Sequence, residues 1–426
     1  MSKKATTVEE IYHNFVQENY LDKETEAFYV NLYEKDLKLF VSDLSRNIIP
    51  SKSFFIAGQS GNGKSSVLHM LTTKYPELED KYLFNYITGR EIFIYEDIDI
   101  VDILLMLGHV LTKDNESLQS KYRDYLQKVE DVKSGALVEE EITSQKEAGG
   151  FNAKAYFGVG TKFFSFLKAG GDFESTYKIN EEVRLDARKL FKLNKNKLID
   201  LINQIILDYK QVHATDKSLL IILDDLEKRE NLDELFTKEL YLLDELNLVK
   251  IITMPIHLQR TETFTRRDIR EFGLKLKDFD GNKFTRDIEL LNEVIHRRIE
   301  KKELISEDAI NDAVQFSGGN LRQLIKLIHF AASEALAFDS STIGEKEMEA
   351  SFKKLQREYS SKVMMYRTFL NSINEHQILE EDSDEELEKL AKVTKQSLIF
   401  AYFNGVIWYE VNPAIEKTLA IYNGVK

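Results

Sequence analysis

Apolar residues recur near helical spacing from residue 24 to 47, where Phe28, Leu32, Leu37, Leu39, Phe40 and Leu44 predict an amphipathic helix. The apolar run Ser53 to Ala57 then predicts a short buried strand, and Ser65 to Lys74 resumes a helical pattern. Leu83 to Tyr95 reads as the next strand, and helical patterns cover about 100 to 130 and 180 to 210. Between them the chain changes character. Phe151, Ala153, Ala155, Phe157 and Val159 alternate with small or polar residues, and Phe163, Phe164 and Phe166 follow. This pattern predicts a β-hairpin bounded by Gly149-Gly150 and Gly170-Gly171, inserted at about 145 to 178.

Beyond the insertion come a strand, Leu219 to Leu223, a helix, Leu232 to Leu246, a strand, Val249 to Thr253, and a shorter candidate strand, Gly273 to Leu276. Strands alternating with helices predict an α/β fold built on a parallel sheet with flanking helices. From Asp287 onward the pattern is helical, near 287 to 303, 306 to 316, 319 to 338 and 345 to 360, the make-up of a lid. The acidic stretch Glu380 to Glu388 opens a further helix, and Asn404-Gly405 is the preferred pair of a tight hairpin turn. The expected division is an N-terminal helical segment (1–50), a core with the inserted hairpin (51–285), a helical lid (286–362) and a small C-terminal α/β module (363–426), for which a winged helix is one reading.

Composition narrows the chemistry. Zero cysteines exclude disulfides, thiolate nucleophiles and cysteine-bound zinc, and eight scattered histidines form no pair at metal-ligand spacing. The net charge of -14 argues against a surface that coats nucleic acid throughout. Basic clusters at Arg188 to Lys197 and Arg297 to Lys302 leave local DNA or RNA contact open. No stretch approaches the roughly 18 consecutive apolar residues of a membrane span, and MSKKATTVEE lacks the apolar core of a signal peptide. The expected compartment is the cytoplasm, without membrane contact.

Between the first strand and its helix lies GQSGNGKSS, residues 58 to 66, with Gly58, Gly63, Lys64 and Ser65 at the spacing of a phosphate-binding P-loop. Gly58, Gly61 and Gly63 let backbone N–H groups turn inward around phosphates, with Gln59, Ser60 and Asn62 between them and Ser66 opening the helix. Lys64 is expected at the β- and γ-phosphates of ATP, and Ser65 at Mg2+. The run LLIILDDLEK places Asp224 and Asp225 directly after apolar strand residues. Asp224 is the expected magnesium partner through water, Asp225 the group that orients or deprotonates the attacking water, and Glu227 a second candidate for that task.

Asp224-Asp225-Leu226-Glu227 resembles the acidic motif of AAA+ P-loop ATPases, and within them of origin-recognition initiators and the bacterial STAND and KAP groups. Most AAA+ motors have Asp-Glu where this chain has Asp-Asp. Gly318-Gly319-Asn320-Leu321-Arg322 resembles the signature that opens the sensor-2 helix of initiator-type members, which implies that Arg322 reaches the γ-phosphate from the lid. The strand KIITMP resembles the sensor-1 strand, with Thr253 as the polar residue at the attacking water or, alternatively, a buried strand residue. By the same resemblance one of Arg266, Arg267 and Arg270 serves a neighbouring subunit's ATP, with Arg267 the chosen candidate, which implies a homo-oligomer.

The resemblance implies an ATP hydrolase that switches its assembly state and regulates a protein effector, with bacterial antiviral defence as one setting. The alternatives are a DNA-loading ATPase of initiator or transposition-regulator type, and a motor that pulls polypeptide. Tyr86-Ile87-Thr88-Gly89 is a poor match to a motor's aromatic pore loop, and residues 380 to 400 carry more acids than bases, which favours the regulator. The aromatics of the insertion either form a partner or self-assembly surface or pack on the chain's own core.

Overall fold

The computed structural model describes the chain apart from residues 1–2, 17–19, 90–97, 134–160, 170–172, 174–176, 178–179, 193, 227–234, 265–266, 380–382, 404–406 and 425–426. In chain order the longer elements are α1 (Val8–Asn14), α2 (Glu34–Arg46), β1 (Ser53–Ala57), α3 (Lys64–His69), β2 (Tyr82–Thr88), α4 (Ile100–Thr112), α5 (Glu116–Lys133), α6 (Thr161–Ala169), α7 (Glu181–Lys192) and α8 (Lys195–Val212). There follow β3 (Ser218–Asp224), β4 (Val249–Met254), β5 (Ile269–Glu271), α9 (Thr285–His296), α10 (Glu307–Ser317), α11 (Leu321–Ala337), α12 (Glu345–Val363), α13 (Arg367–His376), α14 (Asp384–Lys395), β6 (Ile399–Phe403), β7 (Ile407–Val411) and α15 (Pro413–Tyr422). The first five strands make one sheet in the order β2-β3-β4-β1-β5, with β2·β3, β3·β4 and β1·β5 paired in parallel. This is the parallel α/β sheet with flanking helices that the strand and helix patterns predict, followed by helices. Among the described residues no helix is long and apolar enough to cross a membrane.

The chain divides into two compact units. One comprises Ser45–Phe54 and Leu78–Ile252 and contains β2, β3, most of β4 and helices α4 to α8. β3 is an apolar run because both faces of a parallel sheet are covered there, whereas β2, at the end of the sheet, is half-buried from Leu83 to Tyr86. Residues 219–223 are all buried. A polar knot sits inside: Asp102 is fully buried, accepts from Tyr177 Oη at 2.8 Å and pairs with Arg188, while Lys192 pairs with Asp99 at 2.7 Å. Desolvation, the largest influence, raises the Asp102 pKa against the pull of Arg188.

The part of the predicted inserted hairpin that holds Phe163, Phe164 and Phe166 is a helix instead. Residues 151–160 lie outside the described residues, but 161–169 form α6. Phe163, Phe164, Phe166 and Leu167 stand at i, i+1, i+3 and i+4, a helical stripe rather than a strand alternation, and all four are buried. Phe163 meets Phe191 edge-on at 5.7 Å, and Phe166 meets Phe173 at 5.9 Å, so these rings are core. The helix expected over Leu232 to Leu246 is instead a wide turn at Leu235–Glu239 and a 3-10 helix at Leu240–Glu245.

The other unit comprises Met1–Leu44, Phe55–Glu77 and Thr253–Lys426. The helix expected over 24 to 47 is confined to α2, because Asp22 and Thr25 bind each other's backbone N–H groups and turn the chain into a short 3-10 helix at Glu26–Phe28. The strand expected at Gly273 to Leu276 lies earlier, at β5, where Phe55 faces Ile269 and Ala57 faces Glu271. Phe272 N–H donates to the Ala57 carbonyl at 2.8 Å, and Gly273 then leaves the sheet. Helices α10 to α12 follow the predicted segments closely, whereas α9 ends at His296, short of the expected 303, and a 3-10 helix at Lys302–Leu304 follows. Residues after Val363, including Phe369, Leu370, Leu390, Val393, Tyr409 and Ile415, share one apolar cluster with Ile256 and Val363. Strands β6 and β7 pair antiparallel, Ile399 with Val411 and Phe403 with Ile407, while Asn404-Gly405 lies outside the described residues.

Candidate phosphate-binding site

The five residues of β1 are buried, which fixes the point where the chain leaves the sheet at Gly58. A Cβ there would stand 2.5 Å from the Phe272 carbonyl oxygen, so only glycine fits. Gly61 takes φ 95° and Gly63 φ 79°, left-handed conformations that favour glycine. Asn62 pins the loop from below: its carbonyl accepts from Tyr33 Oη at 2.7 Å and its Nδ2 donates to the Phe272 carbonyl at 3.1 Å. Tyr33 stacks on Phe272 at 4.5 Å, and burial, with a contribution from Asp287, pushes its pKa up, so it stays a neutral donor.

Lys64 begins α3 and is buried at 4% exposure. Its ammonium donates to the Gly58 carbonyl at 2.8 Å and to the Gln59 carbonyl at 3.2 Å. Ser66 Oγ accepts from the Leu21 N–H at 3.0 Å, which ties the N-terminal segment to the helix start. The first turn of α3 holds no acid, so its N–H groups keep their positive potential. Ser65 occupies the position after Lys64 in the same helix.

The corner between α10 and α11 rests on this loop. Gly318 and Gly319 have φ 59° and 83°, and Asn320 caps α11 by accepting from Gln323 N–H. Capping and a role at the loop therefore coexist in one segment. Asn320 Nδ2 donates to the Ser60 carbonyl at 2.9 Å, Arg322 N–H to the Gly61 carbonyl at 3.0 Å, and Arg322 Nη1 to Ser60 Oγ at 2.8 Å. A Cβ on Gly61 would come within 2.6 Å of Asn320 Oδ1 and 2.8 Å of Arg322 Cβ. The structure thus brings together Gly58 to Ser66 and Arg322.

Sequence reasoning missed what lies against Gln59. This side chain is buried at 3% exposure; its Nε2 donates to the Ile399 carbonyl at 2.5 Å, and its Oε1 accepts from Ala401 N–H at 3.2 Å. Gln59 therefore pairs with the outer edge of β6 as a neighbouring strand would. Tyr402 Oη donates to the Gly318 carbonyl at 2.8 Å, and Lys277 pairs with Glu410 at 2.5 Å. Nothing in the sequence marks the Gln59 and Tyr402 contacts, because their partners on β6 and at Gly318 are backbone atoms.

The acidic strand end belongs to the other unit. Asp224 closes β3 at 1% exposure and accepts from Tyr86 Oη; its Oδ1 also accepts from Asp225 N–H at 2.8 Å. Tyr86 lies on β2, a sheet strand and not a pore loop. Asp225 is buried and takes φ 61°, a conformation uncommon for residues with a side chain and enriched near functional sites. Glu227 lies outside the described residues. Among the described residues no cluster of three His, Asp or Glu could hold a metal.

Thr253 lies near the end of β4 and is fully buried. Arg267 sits over the Phe55 ring at 5.8 Å, and Arg270 pairs with Asp43 and with Asp268. Arg266 lies outside the described residues. Much of both basic clusters is used within the fold. Arg188 and Lys192 hold the buried aspartates, and Lys195 pairs with Glu239 at 2.8 Å. Arg297 pairs with Glu293; Arg298 is buried between the Phe15 and Phe28 rings, and desolvation lowers its pKa to about 10.

No family model matches the chain, and no curated protein matches it. It is similar to a Drosophila ORC structure bound to DNA, at 9% identity over 98% of this chain and 93% of that one, with a TM-score of 0.41. It is similar to the Aeropyrum pernix ORC2 protein in ADPNP and ADP complexes, at 11% identity over 97% of each chain, with a TM-score of 0.41. It is also similar to the Thermotoga maritima RuvB Holliday junction branch migration motor, at 11% identity over 97% and 99% of the two chains, with a TM-score of 0.39. The chain's own geometry, a parallel sheet with a glycine loop after its first strand and helices beyond it, is the α/β arrangement that its sequence pattern predicts.

Proposed function

We propose that this chain is an AAA+-type ATPase that binds ATP with Mg2+ in the loop Gly58 to Ser66, hydrolyses it, and uses the cycle to switch its assembly state and control a protein effector. One observation carries the reading: Arg322, far away in sequence, is joined through Ser60 and Gly61 to the same glycine cradle that holds Lys64. Two cations at a glycine loop that opens a helix suit a polyphosphate.

The roles follow the chemistry of each residue. Backbone groups from Gly58 to Gly63, with Gln59, Ser60 and Asn62, shape the cradle. Lys64 exchanges the Gly58 and Gln59 carbonyls for β- and γ-phosphate oxygens, a charge-assisted pairing stronger than the neutral one it leaves. Ser65 and Asp224 are the residues that would hold Mg2+, which would supply charge neutralisation to the phosphate oxygens. Asp225, with Glu227 as the second candidate, orients and deprotonates the attacking water, and Thr253 contacts it. Arg322 binds the γ-phosphate from α11, and Arg267 acts on a neighbouring subunit's nucleotide in a homo-oligomer.

DNA loading remains the alternative reading, with the C-terminal module as the DNA-binding part. Support for it is thin in α14, where Lys389 and Lys392 are paired with Glu385 and Glu388. The regulator is the preferred reading on that account. The test is sedimentation of the full chain with and without ATP and Mg2+, alongside turnover. A nucleotide-dependent change in assembly supports the switch, and an unchanged monomer that turns over ATP refutes it.

A further inference from the structure

The C-terminal hairpin touches the phosphate loop at a residue that also shares its backbone with Lys64. In the pair Ala401 and Tyr409, the Ala401 N–H points away from β7, since it donates to Gln59 Oε1, and the Tyr409 N–H points away from β6, since it donates to the Gln377 carbonyl at 2.7 Å. The Ile399 carbonyl lies on the same outer edge as the Ala401 N–H and accepts from Gln59 Nε2. An amide side chain thus closes the β6 edge with one donor and one acceptor, the complement a strand would supply.

A second set of contacts fixes the hairpin to the α10–α11 corner. Tyr402 Oη reaches the Gly318 carbonyl, and a Cβ on Gly318 would fall 2.3 Å from the Phe400 ring. Phe279 stands edge-on to Trp408 at 6.1 Å beside the Lys277–Glu410 pair. Loop, corner and hairpin therefore form one closed assembly within a single unit.

The Gln59 carbonyl accepts from Lys64 Nζ at 3.2 Å and from Asn62 N–H at 3.3 Å. A phosphate that draws the ammonium away removes a donor from the very peptide whose side chain grips β6. We propose that Gln59 is the latch of a nucleotide-gated strap: its side chain holds the β6–β7 hairpin closed, and a triphosphate that draws Lys64 from the Gln59 carbonyl loosens that hold and exposes the β6 edge. This rests on the proposed binding of ATP at the loop. Gln59 is a positioning residue here, acting through the loop backbone.

The experiment is amide hydrogen exchange on the full chain, read at Ala401, with nucleotide binding scored separately by equilibrium titration of a non-hydrolysable ATP analogue with Mg2+. The latch predicts that saturating analogue speeds Ala401 exchange on the order of tenfold, the effect of losing one hydrogen bond. Gln59→Ala should show the faster exchange without nucleotide and no further change with it. Tyr402→Phe, which leaves Gln59 in place, should loosen the hairpin part way and keep a nucleotide response. Bound analogue with unchanged Ala401 exchange overturns the gate while leaving ATP binding intact. Unchanged Ala401 exchange in Gln59→Ala overturns the latch itself. Absence of analogue binding refutes the nucleotide reading, and the gate with it, although the Gln59→Ala result still reports on the latch.

Discussion

Arg322 Nη1 donates to Ser60 Oγ at 2.8 Å, joining a residue of α11 to one in the phosphate loop across a sequence separation of 262. With the Arg322 N–H on Gly61 and Asn320 on the Ser60 carbonyl, the helix start and the loop share one hydrogen-bonded surface. A change on either side is therefore felt on the other.

Gly61→Ala tests that surface directly. A methyl group would meet Asn320 Oδ1 at 2.6 Å on a backbone already at φ 95°. The expected outcome is a loss of about 1–3 kcal/mol in chemical denaturation, together with loss of ATP binding. Wild-type stability in this variant would contradict the close approach.

Arg267 and Arg270 are separable. Arg270→Ala removes partners from Asp43 and Asp268 and should lower stability by about 0.5–1 kcal/mol, with the concentration dependence of turnover retained. Arg267→Ala should leave ATP affinity intact and cancel any concentration dependence of turnover. If turnover per wild-type subunit is already independent of concentration in a monomer, the trans-acting role of Arg267 fails.

Glu271 faces Ala57 at the start of the loop, and burial, with Asp36 adding and Lys275 opposing, raises its pKa from 4.5 to about 7. A raised carboxyl pKa means that the folded state binds the extra proton between 4.5 and about 7, so this group's contribution to stability falls as pH rises through that window. Glu271→Gln should flatten that fall, gaining on the order of 1 kcal/mol at pH 8 once solvent screening is allowed for and little at pH 4.5. Thermal melts across pH 4.5 to 8 measure it, and parallel wild-type and variant profiles would contradict it.

Phe163→Ala should cost about 3–5 kcal/mol, as expected for a ring removed from a packed core. Unchanged stability with altered self-association would instead restore the surface role that exposed aromatics imply.

The phosphate loop and its flanks were legible in sequence because contiguous residues carry the whole constraint: buried strand, glycines at required turns, Lys64, then a helix. The α10–α11 corner was legible for the same reason, since positive φ demands Gly318 and Gly319 and a free helix start favours Asn320. The aromatics at 163 to 166 follow a small-polar alternation that reads as strand, whereas their own spacing is helical. β5 escaped because three residues give too short a pattern, and its limits are set by pairing to β1. The Gln59 contact left no trace at all. Backbone atoms of Ile399 and Ala401 do the pairing, so any residue types there would serve.

The central claim is ATP binding and hydrolysis at this loop. Its most direct test is equilibrium titration of ATP and Mg2+ into the full chain, its Lys64→Ala variant and its Asp225→Ala variant, followed by phosphate release from each. The account predicts binding and turnover in the wild type, loss of binding in Lys64→Ala, and binding with turnover lowered at least roughly a hundredfold in Asp225→Ala. Equal binding by wild type and Lys64→Ala would contradict it, and unchanged turnover in Asp225→Ala would move the catalytic role to Glu227.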